Sequence, residues 1–473
     1  MRTWHILAAA GMAIGLWVAS AAAAVTGSTG NGQPQTTIQP SLGLNYIIRT
    51  EGIFGGGVGS LGEVSLFAGN YAPDGYAFCN GQMLPIAQNQ ALFNLVGTTY
   101  GGDGQTTFAL PDLRGRVGVG MGTGVGLSPR LLGERNGAET VTLTTAQLPA
   151  HTHTLPPPGT VTGSTGSGAP YSNLQPELDL NYLIALQGVF PARDEGSPFV
   201  GSDPLLGQLV ISASNLVPQG YASCNGQILP INQNTALFSL LGTTYGGNGQ
   251  TTFALPDLRG RAPIGTGQGS GLSNQNLGEA AGVESLTLTD SQLPPHTHTV
   301  TGLGGPTTAI DGGGLSQTTM QPTLALNYII ALGGIFPLQG GGGTTDEPLV
   351  GQIELFAGNF APSGWAFCDG QLISIAQNTA LFSILGTTFG GNGQTTFGLP
   401  DLEGRLAMGF GQGTGLTDRL MGEMPGTEAV TLTLDQMPGH THTYEVPEPA
   451  TLSLLGAGLA WLLQRRRWRG VAR

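Results

Sequence analysis

The chain has 473 residues, of which 80 are glycine and only 10% are charged, while 40% are hydrophobic. Glycine at about 17%, against a usual share of about 7%, excludes a coiled coil, a helical bundle and a charge-rich disordered chain, and leaves a turn-rich, β-rich fold with enough apolar residues for a core. All 16 basic residues are arginine and six lie in the terminal segments, so the body sets ten arginines against 28 acids, a net of about −18, which excludes a nucleic-acid backbone or an anionic membrane as its partner.

The first element is a targeting segment. Met1-Arg2 is followed by an apolar run from Ile6 to Val18 and alanine-rich residues to Ala24, the pattern of a secretory signal removed near residue 24. Beyond it the chain repeats itself. Cys79-Asn80-Gly81-Gln82 returns at Cys224 and Cys368, Leu110-Pro111-Asp112-Leu113 at Leu255 and Leu399, and His151-Thr152-His153 at His296 and His440, always 145 and then 144 residues on. A second motif, Gln39-Pro40-Ser41-Leu42-Gly43-Leu44-Asn45-Tyr46, recurs at Gln175 and Gln321. Constant spacing over so long a unit indicates triplication. The resulting division is a signal segment at 1–24, an N-terminal Asn-Tyr-Ile-Ile element at 25–60, modules at 61–154, 206–299 and 350–443, linkers carrying further Asn-Tyr elements at 155–205 and 300–349, and a terminal segment at 444–473.

Within a module a short helix is predicted over 89–96, with Ala91, Leu92, Leu95 and Val96 on one face and Gly97 as its stop, and with counterparts at 234–241 and 378–385. Val141-Thr142-Leu143-Thr144 alternates as a half-buried strand does. Glycines at period 2, from Gly118 to Gly124, Gly265 to Gly271 and Gly409 to Gly415, leave one side of an extended chain bare, so another backbone can approach there; the spacing is not that of a dinucleotide fingerprint. The Gly/Ser/Thr/Pro-rich stretches near 155–174 and 300–320 read as loops or linkers. Cys79, Cys224 and Cys368 read as small buried hydrophobes. Asp112 with Arg116, Asp257 with Arg261 and Asp401 with Arg405 read as local ion pairs, with Glu403 standing where the other copies have Arg114 and Arg259.

At the far end Val446-Pro447-Glu448-Pro449 precedes an apolar stretch from Ala450 to Leu463 and the basic tip Arg465-Arg466-Arg467-Trp468-Arg469. Fourteen apolar residues fall short of the ~20 of a full span. This segment resembles the PEP-CTERM sorting signal of Gram-negative bacteria. The resemblance implies an exosortase-type membrane protease as processing partner, a tail transiently in the inner membrane, and a final place on the cell surface or in the extracellular matrix.

The modules, from Leu66-Phe67-Ala68-Gly69-Asn70 through Leu110-Pro111-Asp112-Leu113-Arg114-Gly115-Arg116 to Gln147-Leu148-Pro149-Ala150-His151-Thr152-His153, resemble the phage tail collar domain, as found also in bacterial proteins called microcystin-dependent, whose C-terminal end the Asn-Tyr-Ile-Ile element resembles. The implied fold is mainly β, with short helices and long loops, in three tandem collar-like modules. The implied function is a non-enzymatic structural or adhesive surface protein, with a glycan or cell-surface group as ligand. An extracellular polysaccharide-acting enzyme is the alternative, and would need paired carboxylates in a groove. A metal-dependent oxidase, the third reading, would need an open coordination site. In some fibres of the family a His-x-His pair from each of three chains holds one metal ion.

His151, His153, His296, His298, His440 and His442 are the only histidines outside the signal. In an extended strand residues i and i+2 share a face, so each pair offers two imidazoles on one side. Three pairs supply six nitrogens, an octahedral set that suits Fe or Ni, with Zn admissible, and that leaves no open position for chemistry. Since one chain carries three modules, an intramolecular pseudo-trimer is expected, with a homotrimer as the rival. In the bacterial relatives the Asn-Tyr element follows its module; on that pattern residues 38–55 would complete the third module and close the ring.

Overall fold

The computed structural model describes residues 22–52, 59–155, 160–192, 203–300, 307–338 and 347–446. Most of the expected signal segment and the Pro-Glu-Pro tail lie outside these. Among the described residues no helix is long and apolar enough to cross a membrane. The described residues are mainly β with three short α-helices. The elements used below are β1 (Ala22–Val25), β2 (Ser41–Arg49), β3 (Glu63–Phe67), α1 (Gln90–Val96), β4 (Val117–Gly120), β5 (Glu177–Ala185), β6 (Gln208–Ser212), α2 (Thr235–Leu241), β7 (Ala262–Gly265), β8 (Thr323–Ala331), β9 (Gln352–Phe356), α3 (Thr379–Leu385), β10 (Leu406–Gly409) and β11 (Thr443–Val446).

The Asn-Tyr elements become β2, β5 and β8, nine residues each and buried throughout. Strands covered on both faces need near-continuous apolar runs, which Leu-x-Leu-Asn-Tyr-Ile-Ile supplies. Each is divided between two repeats. In β5, Glu177 to Leu180 run parallel to β4 of the first repeat, and Asn181 to Ile184 run antiparallel to β6 of the second. β8 joins β7 to β9 in the same way. β2 runs parallel to β10 of the third repeat over Ser41 to Leu44 and antiparallel to β3 of the first over Asn45 to Ile48. Within the 38–55 segment, β2 thus pairs with the third repeat, as expected, and joins it to the first. The strands β3, β6 and β9 also pair cyclically with one another.

The period-2 glycines sit where repeats meet. A Cβ on Gly120 would overlap the carbonyl of Leu258, one on Gly265 that of Leu402, and one on Gly409 that of Leu113. Bare backbone is what lets each repeat seat its Leu-Pro-Asp-Leu turn against the next.

Three local expectations change. Ala91 faces solvent, and α1 buries Leu92, Leu95 and Val96, while Phe93 packs at the edge of the core, 5.6 Å from Phe108. The expected strand at 141–144 is confined to Thr140–Val141, because Thr144 and Gln147 form a reciprocal capping box on the 3-10 turn Thr145–Gln147. The stretches near 155–174 and 300–320 are not passive linkers. Each supplies the antiparallel partner of a His-Thr-His strand, through His151 with Thr165 and His296 with Asp311. The third His strand takes its partner from the N-terminus, where Thr29 bridges His440 and β1 pairs with β11.

Candidate metal centre

Each His-Thr-His segment is extended and lies between two apolar layers with one residue per repeat. Leu148, Leu293 and Met437 form one layer, and Leu155, Val300 and Tyr444 the other. The six imidazoles between them are all at most 4% exposed. Their rings approach in twelve pairs with centroids 4.7–5.5 Å apart. Of the fifteen pairs that six rings can make, those missing are His151 with His298, His153 with His440, and His296 with His442. Twelve edges and three opposed pairs describe an octahedron.

Backbone carbonyls fix every ring. Nδ1 of His151, His296 and His440 lies 3.0 Å from the carbonyl oxygens of Pro149, Pro294 and Pro438, two residues back on each ring's own strand. Nδ1 of His153, His298 and His442 lies 2.9–3.0 Å from the carbonyl oxygens of Ala309, Gly27 and Gly163, all on arms that follow or precede another repeat. A carbonyl only accepts, so each Nδ1 carries its proton and each Nε2 presents a lone pair. Those lone pairs meet: Nε2 of His151 is 3.2 Å from that of His440, and Nε2 of His153 is 3.2 Å from that of His296. The Nε2 atoms of His298 and His442 are buried with no protein partner. Lone pairs facing lone pairs repel unless a cation lies between them. If these two 3.2 Å contacts are taken as edges of a regular octahedron, its centre lies about 2.3 Å from each vertex, slightly beyond the ~2.0–2.1 Å of a zinc–imidazole bond in a four-coordinate site.

Burial favours the neutral form, the one a metal requires, in five of the rings. It lowers His296 to about 4, His440 to about 3 and His442 to about 4, and lowers His153 and His298 as well, against hydrogen bonds to the carbonyls that favour the charged form.

Elsewhere the structure redistributes the expected pairs. Asp112 and Asp257 bind Arg114 and Arg259 at 2.8 Å; the expected Asp257–Arg261 pair is kept as a longer contact of 3.9 Å, while Asp112 turns to Arg114 and away from Arg116. In the third repeat Glu403 replaces that arginine, and Arg405 takes over Asp401 at 2.8 Å. The three cysteines are buried and free, and burial pushes their thiols up, as inert core residues.

Three equivalent clefts open at the seams, of about 140, 200 and 300 Å³. The first two carry Asn45, Asn70, Asn80 and Arg114, and Asn181, Asn215, Asn225 and Arg259. The third keeps Asn327 and Asn359 but has Asp369 and Glu403 in place of Asn80 and Arg114. Sequence reasoning did not find these clefts, since each draws its far wall from a neighbouring repeat. It also passed over the carbonyl acceptors, although the Pro-x-His spacing recurs three times.

The phage tail collar domain family matches residues 62–118, 207–263 and 351–407. The protein carries three phage tail collar domains. A PEP-CTERM protein-sorting motif matches residues 445–467, which marks the C-terminal segment for export-linked sorting and exosortase-type processing. The collar matches end at least 33 residues before each histidine pair, so the histidine centre stands on its own geometry. No curated protein and no solved structure matches the chain.

Proposed function

We propose that this exported collar-domain protein is a non-enzymatic structural component of the cell surface or extracellular matrix, folded as a pseudo-trimeric monomer around one structural divalent metal. The observation that carries this reading is the set of six buried, proton-fixed imidazoles, which fall into two overlapping groups of four, His151, His153, His296 and His440, and His153, His298, His440 and His442, with ligand nitrogens within 4.8 Å of one another. His151, His153, His296, His298, His440 and His442 would all ligate, which leaves no position for substrate or water and suits a structural ion. Iron, nickel or zinc fits an all-imidazole set. The domain order proposed from sequence, with a signal segment at 1–24 and modules at 61–154, 206–299 and 350–443, goes with this reading.

Elemental analysis and native mass measurement on the protein purified without chelator test it. The expected result is one Fe, Ni or Zn per chain at the mass of a single chain. Metal-free protein would overturn the metal, and a mass near three chains would overturn the monomer. The glycan or cell-surface ligand is assigned to the three seam clefts, whose amide donors, joined by Arg114 and Arg259 in two of them, suit sugar hydroxyls. Glycan-array binding by the metal-loaded protein that is lost in R114A/R259A is the expected outcome; no binding, or binding untouched by the two substitutions, would remove the clefts from that role.

A further inference from the structure

A second polar layer lies on the pseudo-three-fold axis. Gln39, Gln175 and Gln321, each just before the proline of an Asn-Tyr element, are at most 1% exposed. Their side chains reach from repeat to repeat in a closed cycle. The backbone N–H of Gln39 donates to Oε1 of Gln175, that of Gln175 to Oε1 of Gln321, and that of Gln321 to Oε1 of Gln39, each at 3.1 Å. Because every partner is a backbone donor, the oxygen of each amide must face it, and the orientation of all three amides is settled. All three Nε2 atoms are then left over, and each is buried with no protein acceptor.

The layer beside it shows that the fold can satisfy such a ring when the residues differ. There Gln35, Tyr171 and Gln317 occupy the corresponding positions. Tyr171 donates its hydroxyl to Oε1 of Gln317, and Nε2 of Gln317 donates to Oε1 of Gln35 at 2.5 Å. The Gln39 ring has no such closure. Its oxygens are used on backbone and its three amino groups are donors only. Buried amide donors left unmade are expensive, and three equivalent ones about one axis call for a shared acceptor.

We propose that Gln39, Gln175 and Gln321 form a buried axial site for one halide ion. A water molecule fits this chemistry poorly, because it brings two hydrogens of its own to a set of donors. A halide only accepts, and can take a hydrogen bond from each amide. The apolar side chains of Ile38, Met320, Val117, Ile264 and Leu406 form one buried cluster, and Ile38 and Met320 directly precede Gln39 and Gln321, so the cluster brings no competing acceptor to the amides. Glu177, two residues beyond Gln175, is the nearest carboxylate along the chain, and it is committed to Arg130 at 2.7 Å. The site is independent of the histidine centre and stands or falls separately.

Crystals of the protein grown in sodium bromide and measured at the bromine absorption edge test the assignment. The expected result is one anomalous peak on the axis, within hydrogen-bond reach of all three Nε2 atoms. No bromine signal there, or density that stays water-like, would overturn it. In solution, the melting temperature should climb with bromide at constant ionic strength when acetate is exchanged for it. Gln175→Glu keeps an oxygen for the N–H of Gln39 but replaces the donor with a negative charge, so the bromide dependence should vanish. If that variant does not fold, the anomalous measurement on the unaltered protein decides alone.

Discussion

Glu177 and Asp179 show what single residues add to a repeated frame. The equivalent places hold Ser41 and Gly43 in one copy and Thr323 and Ala325 in the other, so these two buried carboxyls belong to one seam only. Glu177 is pushed up to about 7 and Asp179 to about 8, each mainly by burial, with Arg130 pulling the other way and Glu134 and Glu284 adding repulsion. Asp179 makes no ion pair among the described residues; the amide of Asn136 lies 3.4 Å from it. A carboxyl raised on folding binds more protons in the native than in the unfolded state. Its contribution is therefore complete at low pH and is lost as pH rises through 7 and 8. His153, His296, His298, His440 and His442 act in the opposite sense, losing stability as pH falls below about 6.5 toward their lowered values, so they are silent above pH 7. Denaturant titrations at pH 7 and pH 8 should show the protein weakening by about 1 kcal/mol, and E177Q/D179N should remove most of that loss. An unchanged slope in the variant would show that another group titrates. The buried arginine partner was not legible in the sequence, because Arg130 and Glu177 are 47 positions apart, one in the first module and the other in the Asn-Tyr element that follows it.

Among the elements, the glycine runs were read most directly. Period 2 in an extended chain gives one bare side whatever the tertiary fold, and the structure fills that side with a neighbouring repeat's carbonyl at Gly120, Gly265 and Gly409. Gly120→Ala should force the seam apart and destabilise by roughly 1–3 kcal/mol in thermal or denaturant unfolding, as overpacked interiors do. Gly333→Ala, where an added Cβ meets nothing within 4 Å, serves as the control with little effect. Equal stabilities would show that the seams are loose. The helices were also legible, since Leu92, Leu95 and Val96 keep the i, i+3, i+4 rhythm and Gly97 adopts φ +56° to end the turn. The strand expected at 141–144 was not, because alternation over four residues is weaker than the Thr144–Gln147 capping box that the same segment encodes.

At the scale of the whole molecule, the two ends of the chain are one structural unit. Thr26, Gly27 and Thr29 do for the third His strand what the arms after the first two repeats do for theirs: Thr26 Oγ1 accepts from the His442 N–H at 2.9 Å, and Gly27 supplies the carbonyl for His298. Removing residues 25–33 leaves all six histidines present but takes away one ring's acceptor and the pairing of two more. Metal retention against a competing chelator should then fall about 10–100-fold, the usual effect of losing the partners that orient metal ligands. Undiminished retention would mean that the His strands hold their geometry without the arm. The ring closes only when the first and last folded segments meet, and the sorting motif begins at residue 445, within the strand that pairs with β1.

The sequence by itself determined the triplication, the collar resemblance, the sorting tail, the bare glycine faces and the identity of the six histidines. Each of these is a local or periodic property, carried by spacing along the chain. Only the tertiary structure decided that the histidines form an octahedral set with every Nδ1 committed to a carbonyl, that three glutamines leave their amino groups facing no acceptor, and that β2 is divided between the first and third repeats. Most of those facts depend on contacts between residues more than a hundred positions apart, and a repeated sequence gives its three copies nearly the same local instructions. Which copy touches which is fixed by the packing of shared strands around the axis, where burial and backbone pairing select one arrangement.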